Sequence, residues 1–230
     1  MSGREKQASF LSQGIILAAA SVVVRLIGLV YRIPLAKTIG NDGLGAYSNA
    51  FEVYNIALLL STYSIPTAIS KLISEREDKK EYGNSYHMLQ VGIIFATVLG
   101  FLASLLLFLG ADFIALHVFK EADLSTAIPL KVLAPTIFVF SIMGVIRGFF
   151  QGKHTVIPTS VSQILEQIVN AVVSVVAAKL LISHFSASPK ISAYGAAGGT
   201  LGTLCGALVA LLFLLFIFFG YFPYLKRRLR

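Results

Sequence analysis

Five polar side chains recur along one stretch of the chain at steps of three and four residues: Thr159, Gln163, Glu166, Asn170 and Ser174. On an α-helix this spacing places all five on one face, and the remaining positions of the stretch are apolar. An apolar helix with one polar stripe that includes a carboxylate is poorly suited to lipid on all sides. The stripe therefore predicts a water-filled cavity or a polar partner beside this helix.

A second polar face lies on an earlier apolar stretch, where Glu52 and Asn55 share one side of the predicted helix with Ser48. Ionisable residues inside a membrane segment mark ion or substrate pathways, or pair with each other. Glu52 and Glu166 therefore either bind a coupling proton or sodium ion, or balance the charge of an arginine.

Arginine supplies the opposite charge within the first apolar stretch. Arg25 lies near its middle, and Arg32 follows seven residues later on nearly the same face. An arginine near the bilayer centre costs about 2.5–3.5 kcal/mol by insertion scales and usually turns inward or is paired. Arg25 is therefore either a phosphate site, since guanidinium binds phosphate through two parallel hydrogen bonds, or the permanent partner of Glu52 or Glu166. We expect Arg32 to extend to the outer surface, and Arg147 and Lys153 to be basic anchors at the inner face.

Composition identifies a membrane protein. Of the 230 residues, 56% are hydrophobic and 13% are charged, whereas soluble domains contain about a quarter charged residues. Two runs without Asp, Glu, Lys or Arg, at 82–111 and 191–225, each exceed the roughly 20 residues of a membrane-spanning helix. We predict an all-α polytopic membrane helix bundle, a single lobe of six spans over 1–230. The spans are near 12–31, 46–63, 85–110, 128–150, 157–182 and 193–221.

The breaks between these spans are predicted to be loops. Pro34 and the glycine-rich run 40–45 form one, and the charged run 75–81 forms a solvated loop. In the last span, Gly195–Gly199, Gly198–Gly202 and Gly202–Gly206 are small-xxx-small pairs that predict close helix packing.

The basic residues predict the orientation of the bundle. With the N-terminus inside, twelve of the 19 Lys and Arg residues fall in inner segments and six in outer segments, with Arg25 within the membrane. This bias predicts a multi-pass protein of the cell membrane with both termini cytoplasmic. It also explains the net charge of +8 without nucleic acid as a partner.

Signatures of enzymes and metal sites are missing from the sequence. Cys205 is the only cysteine, so a disulfide or a cysteine-based metal site is not expected. There is no H-E-x-x-H pair, no G-x-S-x-G motif and no Walker A loop. We therefore expect a protein that is not an enzyme and holds neither a metal nor a cofactor.

Three stretches carry a family resemblance: VVVRLIGLVYRIPLAKTIGNDGLGAYS (22–48), STYSIPTAISKLISE (61–75) and RGFFQGKHTVIPTSVSQILEQIVN (147–170). With them the chain resembles the multidrug/oligosaccharidyl-lipid/polysaccharide (MOP) flippase superfamily, and within it the spore-cortex and lipid II flippase-like polysaccharide biosynthesis proteins. The resemblance implies two six-helix lobes around a central cavity and alternating access. It also implies a lipid-linked oligosaccharide whose pyrophosphate lies against cavity arginines, and Arg25 falls on such a position. Where some members carry a second arginine, this chain reads Leu59-Leu60.

Together with these residues, the resemblance implies the amino-terminal lobe of a flippase for a lipid-linked oligosaccharide, such as a peptidoglycan precursor. Its partners would be the lipid bilayer and a second lobe or another copy of the chain. The alternatives are a cation-coupled exporter of drugs or small solutes, and a non-transporting membrane subunit that docks a glycosyltransferase. The candidate substrate-binding residues are Arg25, Glu52, Asn55, Gln163, Glu166 and Asn170.

Overall fold

The computed structural model describes residues 3–61, 64–121 and 124–228, with side chains for 12–60, 64–121 and 124–223. Within these residues the secondary structure is entirely helical. The helices are α1 (Gly3–Ser61), α2 (Ile65–Asp78), α3 (Tyr82–His117), α4 (Ala127–Gly152), α5 (Ile157–His184) and α6 (Ile191–Arg228). The prediction of an all-α bundle is confirmed.

The long helix α1 folds back on itself at Gly40. Its backbone there has φ 69° and ψ −179°, a region that is essentially accessible to glycine alone. The hydroxyl oxygens of Tyr31 and Tyr47 lie 3.3 Å apart, although an unbroken helix would separate these residues by about 24 Å along its axis. The predicted loop from Pro34 to residue 45 is therefore wrong. A single glycine reverses the chain, and the residues on both sides, including Pro34, remain helical.

In the described part of the chain, five stretches of helix are long and apolar enough to cross a membrane. The first, Ser12–Asp78, contains the reversal at Gly40, which is consistent with the prediction of about six crossings. Large apolar side chains are exposed on the outer faces of α1, α3, α5 and α6, as expected where a helix meets lipid. This is the architecture of a multi-pass membrane protein.

Helix α4 forms the centre of the bundle. Of its 18 most apolar consecutive residues, 61% are buried. The corresponding buried share is 11–28% in the other four membrane-spanning stretches. It packs against α3, α6, α2 and α1, whereas α5 packs mainly on α6 and α1. The two helices α4 and α5 have few direct contacts with each other, so a space remains between them near the turn that joins them.

Glycines on α6 let it approach α5 with almost no intervening side chains. A Cβ atom added at Gly202 would lie 2.6 Å from the Ser174 backbone nitrogen, and one at Gly206 would lie 2.5 Å from the Glu166 carbonyl oxygen. A Cβ atom added at Gly198 would lie similarly close to the backbone of Ala178. The close packing predicted from the glycine pairs is confirmed.

A second glycine row, Gly144, Gly148 and Gly152 on α4, receives the amphipathic helix α2. A Cβ atom at Gly148 would lie 2.6 Å from the Pro66 carbonyl oxygen, and one at Gly152 would lie 2.8 Å from the Ser70 carbonyl oxygen. The apolar face of α2, formed by Ile65, Ile69 and Ile73, is buried in this contact.

The end of α2 corrects two sequence-based predictions. The charged run 75–81 was predicted to be a solvated loop, but α2 continues to Asp78. The Lys153 Nζ atom lies 2.6 Å from the Glu77 Oε1 atom, and both side chains are almost fully buried, at 7% and 11% exposure. The same ammonium lies 5.4–6.0 Å from the ring centres of Phe149, Tyr82 and Tyr221, within cation–π range. Lys153 is thus a buried link between helices rather than a surface anchor, because α2 brings a carboxylate to it.

Replacing Gly40 by alanine should destabilise the protein by about 1–3 kcal/mol, since a Cβ atom is strained at this backbone conformation. Thermal unfolding in detergent measures the change. Gly45→Ala on the same helix is the matched control, because a Cβ atom there meets nothing within 4 Å. Equal melting temperatures for the two variants would contradict the reversal at Gly40.

Replacing Gly202 by alanine should also lower the melting temperature, by the equivalent of about 1–3 kcal/mol for overpacking. The added methyl group would collide with Ser174 on α5. Gly220→Ala on the same helix provides the control, because nothing lies within 4 Å of the new methyl group. This control should be neutral or slightly stabilising, since alanine has the higher helix propensity. A Gly202→Ala protein as stable as the control would show that α5 and α6 are not in backbone contact.

Candidate functional site

A buried ion pair joins α4 to α5 at the candidate site. The Arg147 Nη2 atom donates a hydrogen bond of 2.8 Å to the Glu166 Oε2 atom. The two side chains are 11% and 19% exposed. The Arg147 Nε atom also donates to the Ser162 hydroxyl at 3.0 Å, and that hydroxyl donates to the Thr159 carbonyl oxygen at 2.7 Å. One guanidinium therefore holds two successive turns of α5.

This pair revises what the sequence predicted for Arg147 and Arg25. Arg147 was expected to be a basic anchor at the inner face, but it is buried because the glycines beside it bring α2 against α4. The alternative in which Glu166 is the permanent partner of Arg25 is wrong, since Glu166 binds Arg147 instead. A signal for an interior arginine was present in the sequence: Gly144, Gly148 and Gly152 recur around Arg147 at four-residue steps, the spacing of close helix contacts.

A pocket of about 410 Å³ lies beside the ion pair. Its walls come from the end of α1, the start of α2, and the facing sides of α4 and α5. The lining residues are Leu58, Pro66, Thr67, Phe140, Gly144, Arg147, Gln151, Thr159 and Gln163. Of the predicted stripe on α5, the structure thus places Gln163 and Thr159 in a pocket. We call this space the α4–α5 pocket.

The rest of the stripe on α5 faces other helices. The Asn170 side chain is buried, and its Nδ2 atom lies 3.4 Å from the Tyr31 hydroxyl oxygen of α1. Its Oδ1 atom accepts hydrogen bonds from Ser174 at 2.9 Å and from Thr203 of α6 at 3.3 Å. Asn170 therefore lies in a closed polar contact among α1, α5 and α6, away from the α4–α5 pocket.

Glu52 and Asn55 line a different pocket, of about 440 Å³, on the second half of α1. The other lining residues are Arg32, Leu35, Ala36, Leu44, Tyr47, Ser48 and Phe51. The fold-back at Gly40 brings Arg32 to this pocket, which the sequence did not predict. The six candidate residues are therefore distributed over several places rather than gathered in one cavity.

Arg25 is exposed on α1, as is Arg32. Within the part of the chain that the structure describes, neither forms an ion pair. Their charges are therefore free to meet a ligand or another protein surface. For Arg147, in contrast, the carboxylate of Glu166 neutralises the guanidinium within the bundle.

The fold is that of transporters of the MOP superfamily. An outward-facing multidrug resistance MATE family transporter of this superfamily superposes with a TM-score of 0.76, covering 95% of this chain and 45% of that chain at 17% identity. A MOP superfamily transporter from Pyrococcus furiosus gives a TM-score of 0.71, covering 93% and 44% at 16% identity. The resemblance inferred from the three sequence stretches is confirmed by this shared fold together with the family match and the sequence relatives that follow.

By sequence, the chain belongs to the polysaccharide biosynthesis protein family, which matches residues 10–230. Stage V sporulation protein B of Bacillus subtilis (strain 168) is 32% identical over 193 residues, covering 84% of this chain and 36% of that protein. Lipid II flippase MurJ of the same organism is 29% identical over 177 residues, covering 74% of this chain and 32% of that protein. The chain thus spans about a third of the length of these curated relatives.

Replacing Arg147 by methionine should lower the free energy of unfolding by up to about 3–5 kcal/mol, because Glu166 would keep a buried charge without its partner. The double variant Arg147→Met/Glu166→Leu should recover most of this loss. Denaturant unfolding in detergent measures both changes.

The matched control for this experiment is Asp112→Asn, which breaks the Lys131–Asp112 pair. Those side chains are 35% and 53% exposed, so the change should be below about 1 kcal/mol. Similar losses from the buried and the exposed pair, or no recovery in the double variant, would contradict the buried-pair interpretation.

Proposed function

We propose that this chain is the amino-terminal lobe of a flippase that moves a lipid-linked oligosaccharide across the cell membrane by alternating access. The observation that carries the proposal is the placement of Arg25 and Arg32 on a membrane-crossing helix, exposed and without an ion pair among the described residues. Two arginines seven residues apart lie about 10.5 Å apart along the helix and nearly on one face. A guanidinium without a counterion in a bilayer needs an anionic ligand or a polar surface.

Phosphate fits this requirement. Its oxygens accept paired hydrogen bonds from guanidinium, and a lipid-linked sugar carries phosphate between its lipid and its headgroup. The relative named as a lipid II flippase supports this class of substrate. In the proposed mechanism, Arg25 attracts the phosphate groups, and the polar faces of α1 and α5 replace water around the sugar.

The transported headgroup needs a cavity shared with a second body. A single bundle of this size cannot enclose a path that opens alternately to both faces, so we propose that a second lobe or another copy of the chain faces Arg25. The basic residues support an orientation in which both termini and the α4–α5 turn are cytoplasmic. The α4–α5 pocket, beside that turn, would then meet substrate arriving from the cytoplasm.

Complementation of a strain depleted of its lipid II flippase tests the proposal, with the complete reading frame that carries this chain. We expect growth to be restored, and Arg25→Ala to abolish it while the protein level in the membrane is unchanged. Arg25→Lys should retain part of the activity, because it keeps the charge but loses the two parallel hydrogen bonds. Lys37→Ala, at an exposed position of the same helix, serves as the control and should complement normally.

Each outcome separates the proposal from an alternative. Full complementation by Arg25→Ala would remove the phosphate role of this residue. Drug efflux that depends on a proton or sodium gradient, without complementation, would favour the cation-coupled exporter. Loss of a glycosyltransferase from the membrane on charge reversal of the exposed residues Lys79 and Lys80, with Arg25 dispensable, would favour the docking subunit.

A further inference from the structure

We infer that the α4–α5 pocket binds hydroxyl groups of the sugar headgroup and excludes its phosphates. This inference rests on the proposed function, because it names the part of that substrate which the pocket would hold. It assigns substrate contacts to Thr159 and Gln163, with Arg147 and Glu166 as positioning residues.

Two unsatisfied polar atoms carry the inference. The Thr159 Oγ1 atom and the Gln163 Oε1 atom are buried and have no hydrogen-bond partner among the residues that the structure describes, and Thr159 is only 1% exposed. A buried polar atom without a partner costs about 1–3 kcal/mol, so such atoms are rare unless something outside the fold satisfies them. Both residues line the α4–α5 pocket, one helical turn apart on α5.

The chemistry of these atoms selects the ligand. A glutamine carbonyl oxygen only accepts hydrogen bonds, so the ligand must donate to Gln163. A threonine hydroxyl both donates and accepts. Sugar hydroxyl groups do both, so one polyol can satisfy the two residues together. A fully ionised phosphate has no hydrogen to donate and would leave the Gln163 Oε1 atom without a partner.

Charge excludes phosphate for a second reason. Arg147 is the only charged residue among those that line the pocket, and Glu166 lies 2.8 Å from it. The pair is neutral as a whole, so a phosphate group at Arg147 would also meet the negative charge of Glu166. Arg25 and Arg32, which have no ion pair within the described residues, are the better partners for phosphate.

The volume and walls of the pocket suit part of a headgroup. Its 410 Å³ fall within the usual range for small-molecule sites, roughly 300–1,000 Å³, and such sites combine apolar walls with a few polar groups. Phe140 and Leu58 supply apolar walls, while Thr67 and Gln151 add uncharged polar groups.

Binding of two lipids to the purified product of the complete reading frame that carries this chain, in detergent, tests the inference. One probe is a polyprenyl diphosphate, and the other is the same lipid carrying an N-acetylated hexose. Thr159→Val and Gln163→Met should each weaken binding of the glycosylated lipid about five- to tenfold, as expected for one lost hydrogen bond. Neither should change binding of the bare lipid, whereas Arg25→Ala should weaken both.

Ser160→Ala is the matched control. Its hydroxyl is also buried and without a partner, but it lines a separate apolar pocket between α1 and α5. This variant should bind both lipids as the unmodified protein does. In the absence of lipid, Thr159→Val and Gln163→Met should leave the melting temperature unchanged or raise it, because an unsatisfied polar atom has been removed.

The possible results have distinct consequences. Equal weakening of both lipids by Gln163→Met, or no weakening at all, would overturn the sugar site and leave the flippase proposal intact. A clear loss of stability in the lipid-free Thr159→Val and Gln163→Met proteins would indicate structural water in the pocket and would also overturn it. If the unmodified product of the complete reading frame bound neither lipid, the flippase proposal itself would fail, and the sugar site with it.

Discussion

The ion pair between Arg147 and Glu166 is the interaction around which the polar interior of this bundle is organised. In a bilayer a buried charge has no water to solvate it, so each of these groups depends on the other. Arg147 also binds Ser162, so the pair fixes the facing side of α5. The pair joins two helices that otherwise have few contacts with each other, and the α4–α5 pocket occupies the space that this arrangement leaves open.

Glycine makes the geometry around the pair possible. On α6, Gly202 and Gly206 allow direct contact with the backbone of α5, and on α4, Gly148 and Gly152 allow the same with α2. Lipid provides no hydrophobic drive for helices to associate, so close van der Waals contact has to hold them together. Small residues thus set the separation of α6 from α5 and of α2 from α4, while the Arg147–Glu166 pair joins α4 to α5 beside the pocket.

The arginines of this chain lie in two kinds of environment. Arg147 is buried and neutralised by Glu166, whereas Arg25 and Arg32 are exposed on α1 and form no ion pair within the described residues. A substrate with both phosphate and sugar offers a match for each environment. The difference between these two environments supports the proposed flippase for a glycosylated lipid better than it supports a site that binds phosphate alone or sugar alone.

Hydropathy and small-residue spacing predicted the membrane class, the all-helical fold and the close packing along the α6 glycines, because these signals are local. The apolar surroundings of Glu166 along its helix likewise predicted that this carboxylate avoids lipid. The sequence did not predict that Arg147 rather than Arg25 is its partner, that Gly40 reverses α1 without a loop, or that Lys153 is buried with Glu77. These outcomes depend on which helices become neighbours, and helix packing brings together residues whose separation along the chain carries no local signal.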